Sequence, residues 1–114
     1  MERTTGEITH LLDEHERTIT VKTETEKRNT AAQKALSQAR KSEQDAWSVL
    51  KSHWRHNPDT REANLRRWEE AAARVREAAE TASVASGETN SAAAAEDQAR
   101  KEIDKARNDT LTGK

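Results

Sequence analysis

The chain has 114 residues, of which 36% are charged, with 20 Lys and Arg against 21 Asp and Glu. A chain of this length forms at most one domain, and its balanced charge argues against a nucleic-acid binder, which normally carries a net basic patch. The absence of cysteine excludes disulfides and thiolate zinc sites.

The first predicted helix begins near Thr5. The stretch 18–25 within it differs from its surroundings, because β-branched residues alternate with polar ones as they do in a strand. No second strand is available to pair with it, so we predict a poorly favoured helix there. The residues before this stretch are spaced three and four apart and share one helical face: Ile8, Leu11, Leu12 and His15.

Residues 30–55 carry a stronger helical pattern. Trp47, Leu50 and Trp54 are spaced three and four apart, so they form one stripe that leads toward the following turn. We predict a first helix over about residues 5–55. The residues that recur on its apolar side are Ala32, Ala35, Leu36, Ala39, Ala46, Trp47, Leu50 and Trp54.

The only proline of the sequence marks a turn. Pro58 lacks an N–H and disfavours a helical conformation at Asn57, so the first helix must end before it. Asn57 can cap the next helix with its side-chain oxygen, and Pro58 suits the first helical position. Asp59 and Glu62 place negative charge at the positive end of the new helix dipole. We predict a turn near 55–60, centred on 56–59, and a second helix from about 58 to 108.

The second predicted helix has an unbroken alternation of three- and four-residue spacings. Gly87 and Asn90 interrupt the run of helix-favouring residues, so a break in the helix over 86–91 would cost the least free energy. Ala71 and Ala78 widen the apolar face beyond a two-helix seam, which favours docking of a further helical surface. The predicted seam is Leu65, Trp68, Ala72, Val75, Ala79, Ala82, Ser86, Thr89, Ala93, Glu96, Arg100 and Ile103.

These elements predict an all-α fold, with residues 1–114 forming one long antiparallel two-helix hairpin of coiled-coil type. Nineteen alanines favour helix but bury little area, and only thirteen Ile, Leu and Val residues are present. We therefore expect oligomerisation to complete a helical bundle. When the chain is folded back at the turn, the numbers of facing residues sum to about 115. Trp47 then faces Trp68, Leu50 faces Leu65, Leu36 faces Ala79, and Leu12 faces Ile103.

The sequence contains no pattern that predicts catalysis. His53, His56 and Asp59 lie close together, but zinc needs three or four ligands and the Pro58 turn interrupts the helical geometry between them. Glu69 and other carboxylates have no cleft in a thin hairpin to shift their pKa values apart. We predict no enzymatic activity, no cofactor, no metal and no small-molecule substrate.

The three tryptophans have two possible roles, packing within a hairpin or dimer core and anchoring an external partner. Trp54 faces Arg61 in the predicted register and has no large apolar mate, so we expect it to reach outward. The predicted turn and partner interface comprises Trp47, Leu50, Trp54, His56, Asn57, Pro58, Leu65, Trp68 and Val75.

Two helices joined at a tryptophan-containing bend resemble the Trp-x-Gly family of ESX-type substrates of type VII secretion. The matching residues are Leu50 and 54–56 at the turn and then 67–72, where such proteins commonly carry an aromatic residue followed by Glu and Ala. The likeness covers about residues 45–85. The glycine of the motif is His56 here, and the chain has no Tyr for the family's tail signal. The resemblance implies a non-catalytic hairpin that dimerises into a four-helix bundle and is exported folded.

The leading functional hypothesis is a helical protein–protein interaction module, with an ESX-like substrate or partner subunit as its specific form. The alternatives are a structural subunit of a larger assembly, such as a virion or filament, and a small regulatory coiled coil that acts on RNA or a polymerase. We expect partners to be a second copy or another helical protein, without nucleic-acid binding or membrane insertion. The N-terminus lacks the apolar core of a cleavable signal peptide, so we expect a cytoplasmic location or secretion by another route.

Overall fold

The computed structural model describes residues 5–113, and two helices contain nearly all of them. Helix α1 spans Thr5–His53 and helix α2 spans Arg61–Thr112, with a short 3-10 turn over Pro58–Thr60 between them. The helices pack antiparallel against each other, and residues 5–113 contain no strand. The predicted all-α antiparallel hairpin is therefore confirmed.

The chain divides into two compact units, each built from one segment of each helix. The turn unit is Asn29–Ala85, and the terminal unit comprises residues 5–28 and 86–113. In the turn unit, the Trp47 and Trp68 ring centroids lie 5.2 Å apart, as the predicted register requires. The core of this unit consists of Ala32, Leu36, Ala82 and Ala85, with Val75, Ala78 and Ala79 packed against it.

Polar contacts join the two helix segments of the terminal unit. The Thr89 hydroxyl donates a 3.1 Å hydrogen bond to the carbonyl oxygen of Thr25, which is only 3% exposed. His15 Nε2 lies 3.2 Å from Glu96 Oε1, and both side chains are partly buried. The Thr25 carbonyl oxygen and the His15 and Glu96 side chains therefore have partners on the other helix, as polar groups removed from water generally do.

The predicted pairing of Leu12 with Ile103 is wrong. Leu12 is exposed, whereas Leu11 lines the same cavity as Ile103. Both leucines are compatible with the three- and four-residue spacing of the first helix. The buried positions farther along α1, such as Leu36 and Leu50, follow a spacing that includes Leu11 and leaves Leu12 outside.

The predicted seam of α2 is wrong at most of its alternate positions, where the more buried side chain lies one residue earlier, but Ala79 packs against the core of the turn unit as predicted. Where Leu65, Ala72 and Arg100 were expected, the more buried residues are Asn64, Ala71 and Ala99. Alanine lets two helix backbones approach closely, so it takes the inner position while larger or charged neighbours stay at the flank. The repeat of alanine at every seventh residue consists of Ala71, Ala78, Ala85, Ala92, Ala99 and Ala106.

The strand-like stretch 18–25 is helical, as predicted. Its threonine hydroxyls donate to carbonyl oxygens three or four residues earlier: Thr18 to His15, Thr20 to Glu16, Thr23 to Ile19 and Thr25 to Lys22. These bonds satisfy the hydroxyls inside the helix, where they would otherwise compete with its backbone bonding.

The turn differs in detail from the prediction. Asn57 does not cap with its side chain; its carbonyl oxygen accepts hydrogen bonds from the Thr60 N–H and hydroxyl, at 3.1 and 2.9 Å. Pro58 begins the 3-10 turn, and Asp59 and Glu62 occupy the first turns as expected. Since the tight 3-10 turn takes up Pro58–Thr60, α2 begins at Arg61 rather than at 58.

Helix α2 has no break over 86–91. Gly87 is helical, and a Cβ built on it would contact nothing within 4 Å. One helical glycine costs only about 1 kcal/mol relative to alanine. The Thr89 hydrogen bond and the burial of Ala92 hold the segment in place, so the glycine does not interrupt the helix.

Candidate interaction surface

An open apolar groove of about 460 Å³ lies next to the bend in the turn unit. The end of α1 and the first turns of α2 form its walls. We call it the tryptophan groove and define it by its lining residues: Trp47, Leu50, Lys51, Ser52, Trp54, Arg55, His56 and Leu65. A concave apolar surface of this size, open to solvent, can accept the side chains of a partner protein.

The three tryptophans are held in different ways. Trp68 is partly buried, packs against Trp47 at an interplanar angle of 53°, and donates from Nε1 to Glu43 at 3.3 Å. Trp47 lies at the outer side of this pair and is 45% exposed. Trp68 therefore supports the hairpin, while Trp47 also presents ring surface to the groove.

Trp54 is also 45% exposed. The Arg61 guanidinium carbon lies 5.1 Å from the centroid of its ring, and Arg61 Nε donates to the Trp54 carbonyl oxygen. The cation–π contact and this hydrogen bond fix the backbone around the bend and orient the indole. Arg61 thus positions an exposed aromatic side chain at the mouth of the groove.

The charged side chains at the rim are all basic. Lys51 and Arg55 are exposed, and within residues 5–113 neither forms an ion pair with a carboxylate. His56 completes this side of the rim. An apolar floor with a cationic rim favours an apolar partner segment that carries carboxylates.

The structure brings most of the predicted interface residues to this groove. Leu50 is buried at its base, and Leu65 is partly buried beside it. Asn57 and Pro58 are exposed at the turn, whereas Val75 packs against the core of the turn unit and lies away from the groove.

Sequence reasoning missed Lys51 as a rim residue and Leu111 as an exposed apolar side chain. Leu111 lines a second cavity, of about 300 Å³, in the terminal unit. Its other lining residues are Ile8, Leu11, Ile103, Ala106, Arg107 and Thr110. Lys51 could have been predicted from its position between Trp47 and Trp54 in the sequence. Leu111 has no neighbouring apolar residue in the sequence near the end of α2, so no pattern indicated it.

The titratable groups of residues 5–113 include a cluster of ion pairs on the surface of α2. Within residues 5–113, no group of three or more His, Asp or Glu side chains could hold a metal ion. The Lys101 and Arg100 side chains, which donate to Asp97 at 3.1 and 2.5 Å, lower the pKa of that carboxyl. This surface cluster ties neighbouring turns of α2 together, as ion pairs at these spacings do.

Comparison of the chain with protein-family models, with curated proteins and with solved structures gives no match. Neither helix, within the residues described, has a stretch long and apolar enough to cross a membrane.

Proposed function

We propose that this protein is a non-catalytic helical interaction module that binds a second copy or another helical protein through the tryptophan groove. The observation that carries the proposal is the exposure of Trp47 and Trp54 on an apolar groove with a basic rim. Exposed aromatic side chains grouped in a groove are typical of interface hot spots.

The specific form of the proposal is an ESX-like substrate or partner subunit of type VII secretion. Its support is the helical hairpin with Trp54 at the bend and the run 67–72 at the start of α2. The test is export: in a source cell with an active type VII system the chain should appear outside the cell, and inactivation of that system should retain it. Equal export in both strains would contradict this form.

The interaction itself is tested by native mass measurement of the complex isolated from the source cell. We expect a discrete oligomer or heteromer for the unaltered chain and its loss for Trp47→Ala/Trp54→Ala. Val84→Ala, which removes an exposed side chain away from the groove, is the matched control. A monomer without any bound helical protein would contradict the proposed function.

A second candidate function is that of a structural subunit in a larger assembly. The cavity of the terminal unit favours it, because a protomer with two different apolar surfaces can join its neighbours head to tail and form an open polymer. Electron microscopy of concentrated protein distinguishes the two: ordered filaments support assembly, and discrete particles support a closed oligomer.

A further inference from the structure

Helix α1 and the first residue of the bend after it expose two pairs of large apolar side chains at the same spacing. In the terminal unit, Leu12 and Ile19 are 50% and 43% exposed. In the turn unit, the exposed pair is Trp47 and Trp54. Members of each pair are seven residues apart. Leu12 and Ile19 therefore share one helical face about 10.5 Å apart along the axis, and Trp54 directly follows the last residue of α1 at the corresponding spacing from Trp47. The two pairs therefore match each other in length.

The carboxylates beside Leu12 and Ile19 are opposite in sign to the rim of the groove, and the cation on that surface, Arg17, is paired with Glu14. Asp13 and Glu16 are exposed next to Leu12 and Ile19, and within residues 5–113 neither side chain forms an ion pair. Lys51 and Arg55 flank the tryptophans at the rim of the groove. The acidic apolar segment of α1 has the chemistry that the tryptophan groove favours.

An antiparallel alignment satisfies both the apolar and the charged groups. Placing Leu12 against Trp54 puts Ile19 against Trp47, and it brings Asp13 near Arg55 and Glu16 near Lys51. In a parallel alignment Glu16 and Lys51 lie at the same level but on opposite flanks of the contact, and Asp13 and Arg55 lie about 10 Å apart along the axis. The charge pattern thus selects the antiparallel orientation.

We propose that the tryptophan groove binds the segment 12–19 of a second copy of this chain in antiparallel orientation. This inference rests on the proposed function, since it names the occupant of the same surface. Each copy carries both the groove and the segment, so the contact is made twice about a two-fold axis and the pair closes as a dimer.

The test is a charge exchange measured by sedimentation equilibrium of the full chain. Lys51→Glu/Arg55→Glu places carboxylates on both the groove and the segment. Asp13→Lys/Glu16→Lys places cations on both. We expect self-association of each variant to weaken about tenfold or more, because like charges then face each other. An equimolar mixture should recover a dimer, since both of its contacts pair opposite charges. All four positions are exposed, and unchanged helicity by circular dichroism checks that each variant folds.

The orientation is tested by disulfide trapping, which the absence of cysteine from the chain makes direct. A mixture of Asp13→Cys and Arg55→Cys chains should form a cross-linked dimer. The matched mixture of Thr20→Cys and Arg55→Cys, which the antiparallel alignment separates by about 13 Å along the helix axis, should not.

Three results would overturn the inference: an unaltered chain that stays monomeric at high concentration, variants that self-associate as tightly as the unaltered chain, or a mixture that recovers no dimer. If the unaltered chain is monomeric but binds another helical protein, and Trp54→Ala abolishes that binding, only this inference is overturned. A monomeric chain that binds nothing overturns the proposed function as well.

Discussion

The turn unit and the terminal unit each pack a segment of α1 against a segment of α2, but the residues between the two segments differ in polarity. The interior of the turn unit is mostly apolar, with Leu36 among alanines and Trp47 against Trp68, and Asn64 is its buried polar residue. The interior of the terminal unit contains the Thr25–Thr89 and His15–Glu96 contacts. Burying a large apolar side chain adds more to the free energy of unfolding than forming one hydrogen bond, because the net contribution of a hydrogen bond is small. We therefore expect the turn unit to be the more stable of the two.

The largest expected effect comes from removing apolar volume from the turn unit. Leu36→Ala should lower the free energy of unfolding by about 2–5 kcal/mol, because it removes the largest side chain of the buried cluster and leaves a cavity. Urea denaturation followed by circular dichroism measures the change. Val84→Ala, at an exposed position of the same unit, should stay within about 0.5 kcal/mol. Equal effects of the two substitutions would show that the cluster is not a core.

The next effect tests the position of the seam in the terminal unit. Ala92→Leu should destabilise the chain by about 1–3 kcal/mol, since a larger side chain does not fit between closely packed helices. Ala94→Leu, two residues away and exposed, should change stability by less than about 0.5 kcal/mol. A larger effect of Ala94→Leu than of Ala92→Leu would contradict a seam that passes through Ala92.

A smaller effect is expected from the polar contacts of the terminal unit. Thr89→Val keeps the side-chain shape but removes the donor to the Thr25 carbonyl oxygen, so it should cost about 0.5–1.5 kcal/mol. Hydrogen exchange should report faster opening of residues 5–28 and 86–113, with Asn29–Ala85 unchanged. Faster exchange in both units to the same degree would argue against separate stabilities.

The smallest effect concerns the surface of the terminal unit. Hydrogen bonds from Lys101 and Arg100 lower the pKa of Asp97, so this group favours the folded state above its unfolded pKa and loses that contribution as pH falls through the folded value. Lys101→Met should raise the pKa of Asp97 toward its ordinary value, measured by NMR titration of the carboxyl carbon. An unchanged titration in the variant would contradict the assigned cause.

The sequence predicted the hairpin, its turn and the tryptophan pairing because those features depend on periodicity and on Pro58, which act locally. It placed the seam of α2 one residue too late because Ala71 and Ala72 are chemically identical, and only packing against α1 distinguishes them. The same limit applies to Leu11 and Leu12. The groove itself depends on three-dimensional proximity, since Lys51 and Leu65 come from different helices.

The central claim is that the tryptophan groove is a surface for association, and sedimentation equilibrium of the full chain tests it most directly. Trp54→Ala, with its helicity unchanged, should weaken association about tenfold or more, because a buried tryptophan anchor carries much of the binding energy of an interface. Val84→Ala should associate as tightly as the unaltered chain. Association of Trp54→Ala with unaltered affinity, or an equal loss in Val84→Ala, would contradict the claim.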